Sequence, residues 1–107
     1  MPYIMTTSTY PSDKAAEVAE QYLQAMEKYP NDDNLETDSI PGAVKSNHQG
    51  IRVIGITEVK EGKLEEAYKK KVQRMVSFQS IKGFEYSIDV NLTVIEALGM
   101  LGISPPE

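Results

Sequence analysis

The order in which strand-like and helix-like segments follow one another constrains this chain more than any single motif. A strand-to-helix phrase, YIMTTSTYPSDKAAEVAEQYLQAM from Tyr3, is followed by a second, IRVIGITEVKEGKLEEAYKKKVQRM from Ile51. Displaced by 49 residues, Lys14, Glu17, Gln24 and Met26 fall on Lys63, Glu66, Gln73 and Met75. One further strand-like stretch precedes Ile51 and another follows the second helix, giving strand, helix, strand, strand, helix, strand. This order predicts an α+β, split β-α-β arrangement: a four-stranded antiparallel sheet, two helices on one face, and a short C-terminal helix. At 107 residues, the span 1–107 is expected to form a single domain with one core.

Local signals place the elements. Tyr3 to about Thr9 is rich in β-branched and aromatic residues and reads as strand one. Pro11-Ser12-Asp13 ends it, with Ser12 as the expected N-cap of helix one. Ala15, Val18, Ala19, Tyr22, Leu23 and Met26 give that helix one apolar stripe, and Tyr29-Pro30 stops it. Asn31 to Asp38 is polar and acidic and reads as a surface loop. Ile40 to Ser46 is a weaker strand, which Pro41 and Gly42 assign to an edge or a bulge. Asn47-His48-Gln49-Gly50 has the chemistry of a hairpin turn into the strongest strand, Ile51 to Val59. Helix two is expected from Lys63 to about Phe78, with Leu64, Ala67, Tyr68, Val72, Met75 and Val76 as its stripe. Lys69-Lys70-Lys71 reads as a solvated face paired with Glu65 and Glu66. In Phe84 to Val90 the residues Phe84, Tyr86, Ile88 and Val90 share one face, and Glu85, Ser87 and Asp89 the other. Asn91 or Thr93 is expected to cap a short third helix, Thr93-Val94-Ile95-Glu96 matching a capping box, and Ser104 to Glu107 reads as a frayed tail.

Composition removes several classes. The formal net charge of −5 argues against a general nucleic-acid binder, which needs a basic stripe to displace counterions. With no cysteine, disulfides, thiolate nucleophiles and cysteine-based metal sites are excluded. The opening residues MPYIMTTSTYPSDK lack the basic and apolar regions of a signal peptide. No apolar run approaches the roughly 20 residues of a membrane helix, so no membrane partner and a cytoplasmic location are expected.

The middle of the sheet carries the next inference. In strand three, Arg52, Ile54, Ile56 and Glu58 alternate with Ile51, Val53, Gly55, Thr57 and Val59. Whichever set faces the helices, the other face keeps at least two branched aliphatics at the centre. Burying one such side chain is worth about 1.5–3 kcal/mol, so the helix-free face is expected to be covered. Two covers are available, the chain's own apolar end from Leu92 to Ile103 and a second copy of the chain meeting it sheet to sheet across a two-fold axis, and the second copy is the expected one. The apolar end from Leu92 to Ile103 would pack at the rim or on the partner. In its element order, its length and the repeated phrase, the chain resembles the dimeric α+β barrel group of ferredoxin-like proteins. That resemblance implies a ferredoxin-like βαββαβ fold, a homodimer, and a small organic ligand held in each half-barrel. It implies no cofactor.

The chemistry is sparse. His48 is the only histidine and thus the only side chain that ordinarily titrates near neutrality. Its sequence context is that of an exposed turn residue, and one histidine cannot build a two-histidine zinc site. No metal site is expected. The acidic run Asn31-Asp32-Asp33-Asn34-Leu35-Glu36 lacks the glycine and terminal glutamate of an EF-hand loop. Gly-rich phosphate loops and the Gly-x-Ser-x-Gly elbow are absent from the sequence. Strand three has no aromatic for base stacking, and the loop after strand one has no arginine for an acylphosphatase-like site. Two functional readings survive. The first is a dimeric small-molecule-binding or assembly module. The alternative is a cofactor-independent monooxygenase- or isomerase-like enzyme acting on a small organic substrate. For that enzyme His48 would accept the proton, and Arg52, Tyr86 and Asp89 would orient the ligand.

Overall fold

The computed structural model describes residues 1–104; the expected frayed tail lies, from residue 105 onward, outside the described residues. Strand β1 spans Tyr3–Tyr10, and α1, Ala15–Lys28, follows a short 3-10 turn at Ser12–Lys14. Strands β2 (Glu36–Asn47) and β3 (Gly50–Val59) form a hairpin; α2 (Leu64–Val76), β4 (Glu85–Asn91) and α3 (Val94–Met100) complete the chain. The architecture is α+β, a four-stranded antiparallel sheet in the order β2-β3-β1-β4 with three helices. Among the described residues no helix is long and apolar enough to cross a membrane.

Register decides which side chains share a face. Ile4 pairs with Thr57, Thr6 with Gly55, and Ser8 with Val53. This set faces the helices, because Ile4 and Val59 pack with Ala67 of α2, and Ile88 of β4 closes the cluster. Ile4 and Val59 are fully buried, each contributing about 1.5–3 kcal/mol. A second cluster joins Val18 and Ala25 of α1 to Phe78 and Ile81, with Tyr10 and Phe84 against it. The opposite face carries Tyr3, Met5, Thr7 and Thr9 beside Glu58, Ile56, Ile54 and Arg52. The two central isoleucines therefore lie on the face without helices.

Several local expectations are met. The β2–β3 turn consists of His48 and Gln49, and the Asn47 side chain accepts a hydrogen bond from the Gln49 amide at 2.8 Å. Gly50 takes a positive φ of 128°, where a Cβ would sit 2.6 Å from the Tyr10 carbonyl oxygen, so only glycine fits. The Thr93 hydroxyl accepts from the Glu96 amide at 3.1 Å, and the Glu96 carboxylate accepts from the Thr93 amide at 2.9 Å. That completes the capping box and holds the Glu96 carboxyl below its ordinary pKa, chiefly through the Thr93 amide.

Other expectations need correction. Ser12 does not cap helix one; the chain enters through the 3-10 turn with no side-chain cap. The loop assigned to Asn31–Asp38 ends early, because β2 begins at Glu36. Strand β2 runs 12 residues along the sheet edge, with register shifts between Asp38 and Ile40 and between Ile40 and Ala43. Pro41 and Gly42 sit in the second irregularity, the placement a proline at an edge demands. Helix two turns a different face inward: Ala67, Lys70, Lys71 and Arg74 are buried, while Leu64, Tyr68 and Val76 are exposed. Of the lysine run only Lys69 behaves as a solvated i,i+4 partner, 3.1 Å from Glu65.

Candidate functional site

A cavity of about 580 Å³ lies between α1, the inner end of α2 and the helix-facing side of the sheet. One wall is α1. All six residues of its apolar stripe, Ala15, Val18, Ala19, Tyr22, Leu23 and Met26, line the space. Val18 joins the buried cluster at one end, while Ala19, Tyr22 and Leu23 remain exposed. The floor is made of short side chains, Thr6, Ser8, Val53, Gly55 and Thr57. Gly55 leaves room there: a Cβ would approach Thr6 Oγ1 to 3.0 Å, a tight contact, and the Pro41 carbonyl oxygen to 3.5 Å. Its missing side chain lets the irregular part of β2 run close above β3, so Ile40, Pro41, Gly42 and Val44 form the outer rim.

The two ends differ in chemistry. Tyr10, Phe84 and Phe78 close one end as stacked rings, with centroids 6.0 Å apart for Tyr10–Phe84 and 4.7 Å for Phe78–Phe84. Asp38, Lys71 and Arg74 line the other. Lys71 Nζ lies 3.6 Å from Asp38 Oδ1 and 3.9 Å from Glu36 Oε1, while Lys70 Nζ reaches Glu36 Oε1 at 3.2 Å. Thr57 donates its hydroxyl to Asp38 Oδ1 at 2.8 Å. Arg74 donates from Nε to the Tyr29 carbonyl oxygen at 2.8 Å and from Nη2 to that oxygen and to Asn31 Oδ1, so it caps the C-terminal end of α1.

Burial dominates the electrostatics here. It holds the Lys71 ammonium below the ordinary lysine pKa; Glu36 and Asp38 oppose that shift, and Arg74 and Lys70 reinforce it. Glu36 is only 3% exposed, and neither of its carboxylate oxygens has an aligned hydrogen-bond donor. The Lys70–Glu36 contact is thus ionic rather than hydrogen-bonded. A buried carboxylate in that position depends on its cations.

The four residues singled out from sequence are dispersed. His48 is exposed in the β2–β3 turn. Arg52 and Asp89 are exposed on the helix-free face, in register with Thr9 and Met5 of β1 respectively, about 13 Å apart along that strand. Tyr86 is in register with Ser8 on the helix-facing side, its ring 6.3 Å from that of Phe84. None of the four lines the cavity. Among the described residues no cluster of His, Asp and Glu is arranged to hold a metal.

Sequence reasoning passed over Glu36, Asp38, Lys71 and Arg74. A signal existed: Ala67, Lys71, Arg74 and Phe78 recur at helical spacing, and Glu36 and Asp38 alternate as one face of a strand does. Charge alone assigns Glu36, Asp38 and Lys71 to solvent. Neither known protein families, nor curated proteins, nor solved structures give a match to this chain.

Proposed function

We propose that this chain is a small-molecule-binding domain of ferredoxin-like fold that works as a symmetric dimer, with its ligand between α1 and the sheet. The observation that carries the reading is the 580 Å³ cavity, which is within the range of ligand sites and combines apolar walls with a few convergent polar groups. A core packed for stability alone would not leave an amphipathic helix standing off its sheet. The element order and the placement of both long helices on one face support the fold assignment.

The dimer is supported by the helix-free face. Ile54, Ile56 and Met5 form its centre. Lys45 is paired with Arg52 at one side, a like-charge neighbour that costs stability when left alone. Glu85 and Asp89 stand at the other side, on β4. A two-fold axis lying in the interface and running along the strands sets the β2–β3 side of one sheet over β4 of the other. Lys45 and Arg52 then meet the partner's acidic edge, and the isoleucines are covered. The apolar residues of α3, with Val94 at 72% and Met100 at 78% exposed, are further area for an assembly to bury.

Titration with the neutral fluorophore Nile red tests the site. Saturable binding should be seen and should disappear in Ala19→Trp, which plugs the cavity from an exposed position of α1. Binding unaffected by that plug would place the dye elsewhere and remove the site. Light scattering tests the assembly: Lys45→Glu should weaken a dimer and Glu85→Lys in the same chain should restore it, whereas a monomeric parent would end that half of the reading.

A further inference from the structure

We infer that the cavity selects a medium-chain amphipathic anion, an acyl carboxylate whose charged head lies by Lys71 and Arg74 and whose tail runs along α1 towards the aromatic end. The inference rests on the ligand-site reading above and adds the chemical class. Three cations, Lys70, Lys71 and Arg74, gather at the polar end against two carboxylates, Glu36 and Asp38. Among the described residues Arg74 has no carboxylate within ion-pair distance; its partners are a carbonyl and an amide oxygen. The C-terminal carbonyls of α1 offset roughly half a unit of that charge, so the polar end remains positive in a chain whose net charge is −5. A carboxylate delivered there would meet a guanidinium in a partly dry setting, where charge-assisted hydrogen bonds are strongest.

The rest of the space dictates the tail. From Ala15 to Met26 the apolar stripe of α1 extends roughly 16 Å at 1.5 Å per residue, longer than an amino acid or a sugar needs. Opposite that stripe the floor is made of the short side chains Thr6, Ser8, Val53 and Thr57 with Gly55, and the far end is closed by Tyr10, Phe78 and Phe84. A chain of methylenes matches the apolar wall of α1 and brings no polar group of its own that would need a partner there.

Displacement of Nile red by decanoate, decanol and decylammonium tests the inference on the unaltered protein, because the three probes share a tail and differ in head charge. Decanoate should displace the dye at least about tenfold more tightly than decanol, a free-energy gap of ~1.4 kcal/mol, with decylammonium weakest. Equal affinities for decanoate and decanol would overturn the anion preference while leaving the cavity intact as a ligand site. No displacement by any of the three, with dye binding still abolished by Ala19→Trp, would overturn the acyl-chain assignment. Loss of plug-sensitive dye binding itself would remove the site and not merely its specificity. Arg74→Met should erase the decanoate advantage. Since Arg74 also holds the end of α1, Lys71→Met serves as the second variant and should reduce that advantage while decanol affinity stays unchanged.

Discussion

The two long helices come from nearly the same phrase yet meet the sheet in different ways. At an offset of 49 residues, buried Val18 of α1 corresponds to buried Ala67 of α2, and buried Ala25 to buried Arg74. Tyr22, 48% exposed, corresponds to Lys71, 8% exposed. Helix α2 sends long cations under itself to the acidic start of β2, and its apolar core with Ile4 and Val59 is tight. Helix α1 has a glutamine and a tyrosine, Gln21 and Tyr22, at the positions matching Lys70 and Lys71. Among the described residues its one ion pair, Lys14–Glu17, stays at its own N-terminal end. One helix is tied down and the other stands over a cavity. Spacing alone sets which residues point inward; the length and charge of those residues set how closely the helix approaches.

The contrast can be broken most sharply at Glu36. Glu36→Ala leaves Lys70 buried without its carboxylate and should cost about 3–5 kcal/mol, read as a lowered urea midpoint. A loss under ~1 kcal/mol, the ordinary value of an exposed pair, would mean that α2 is held by its apolar contacts alone.

A smaller effect follows from Lys71. Glu36 and Asp38 face it from β2, and Lys70 and Arg74 from its own helix, yet burial keeps its pKa below the ordinary 10.5. Between the folded value and 10.5 the unfolded chain holds a proton that the folded chain has released, so this group makes stability rise with pH. Urea unfolding from neutral pH upward should show a steeper rise in the parent than in Lys71→Met. Superimposable profiles would show that Lys71 is solvated and that α2 is no more buried on this side than α1.

The smallest change is expected on the cavity side. Leu23 is 68% exposed although it lines the space, so Leu23→Ala should shift stability by no more than about 0.5 kcal/mol. A cost in the 2–5 kcal/mol range of a packed leucine would show α1 closed on the sheet in solution, and the two helices would then be alike.

Much of this architecture was legible. Alternation in Phe84–Val90, the turn at Asn47–Gly50, the stop at Tyr29-Pro30 and the capping box at Thr93 are short-range signals, and the structure places the elements where they point. The stripe of α1 was also legible, and all six of its residues line the cavity. What escaped was the polar end. A lysine run on a helix and acids in an apparent loop look like solvent-facing charge when each is taken alone. Only pairing Glu36 with Val59 and Asp38 with Thr57 places the acids beneath Lys70 and Lys71. The residues chosen for chemistry, His48, Arg52, Tyr86 and Asp89, were selected by side-chain type. The register distributes them over a turn and both faces of the sheet.

The sequence by itself determined the order of elements, the ends of most of them and the apolar side of α1, because those follow from contacts between residues close along the chain. Tertiary structure decided which charges are buried, how far α1 stands from the sheet, and that the space beneath it has one aromatic end and one charged end. Those properties arise between strands and helices tens of residues apart, where depth and partner, rather than residue type, fix what a charge or a ring can do.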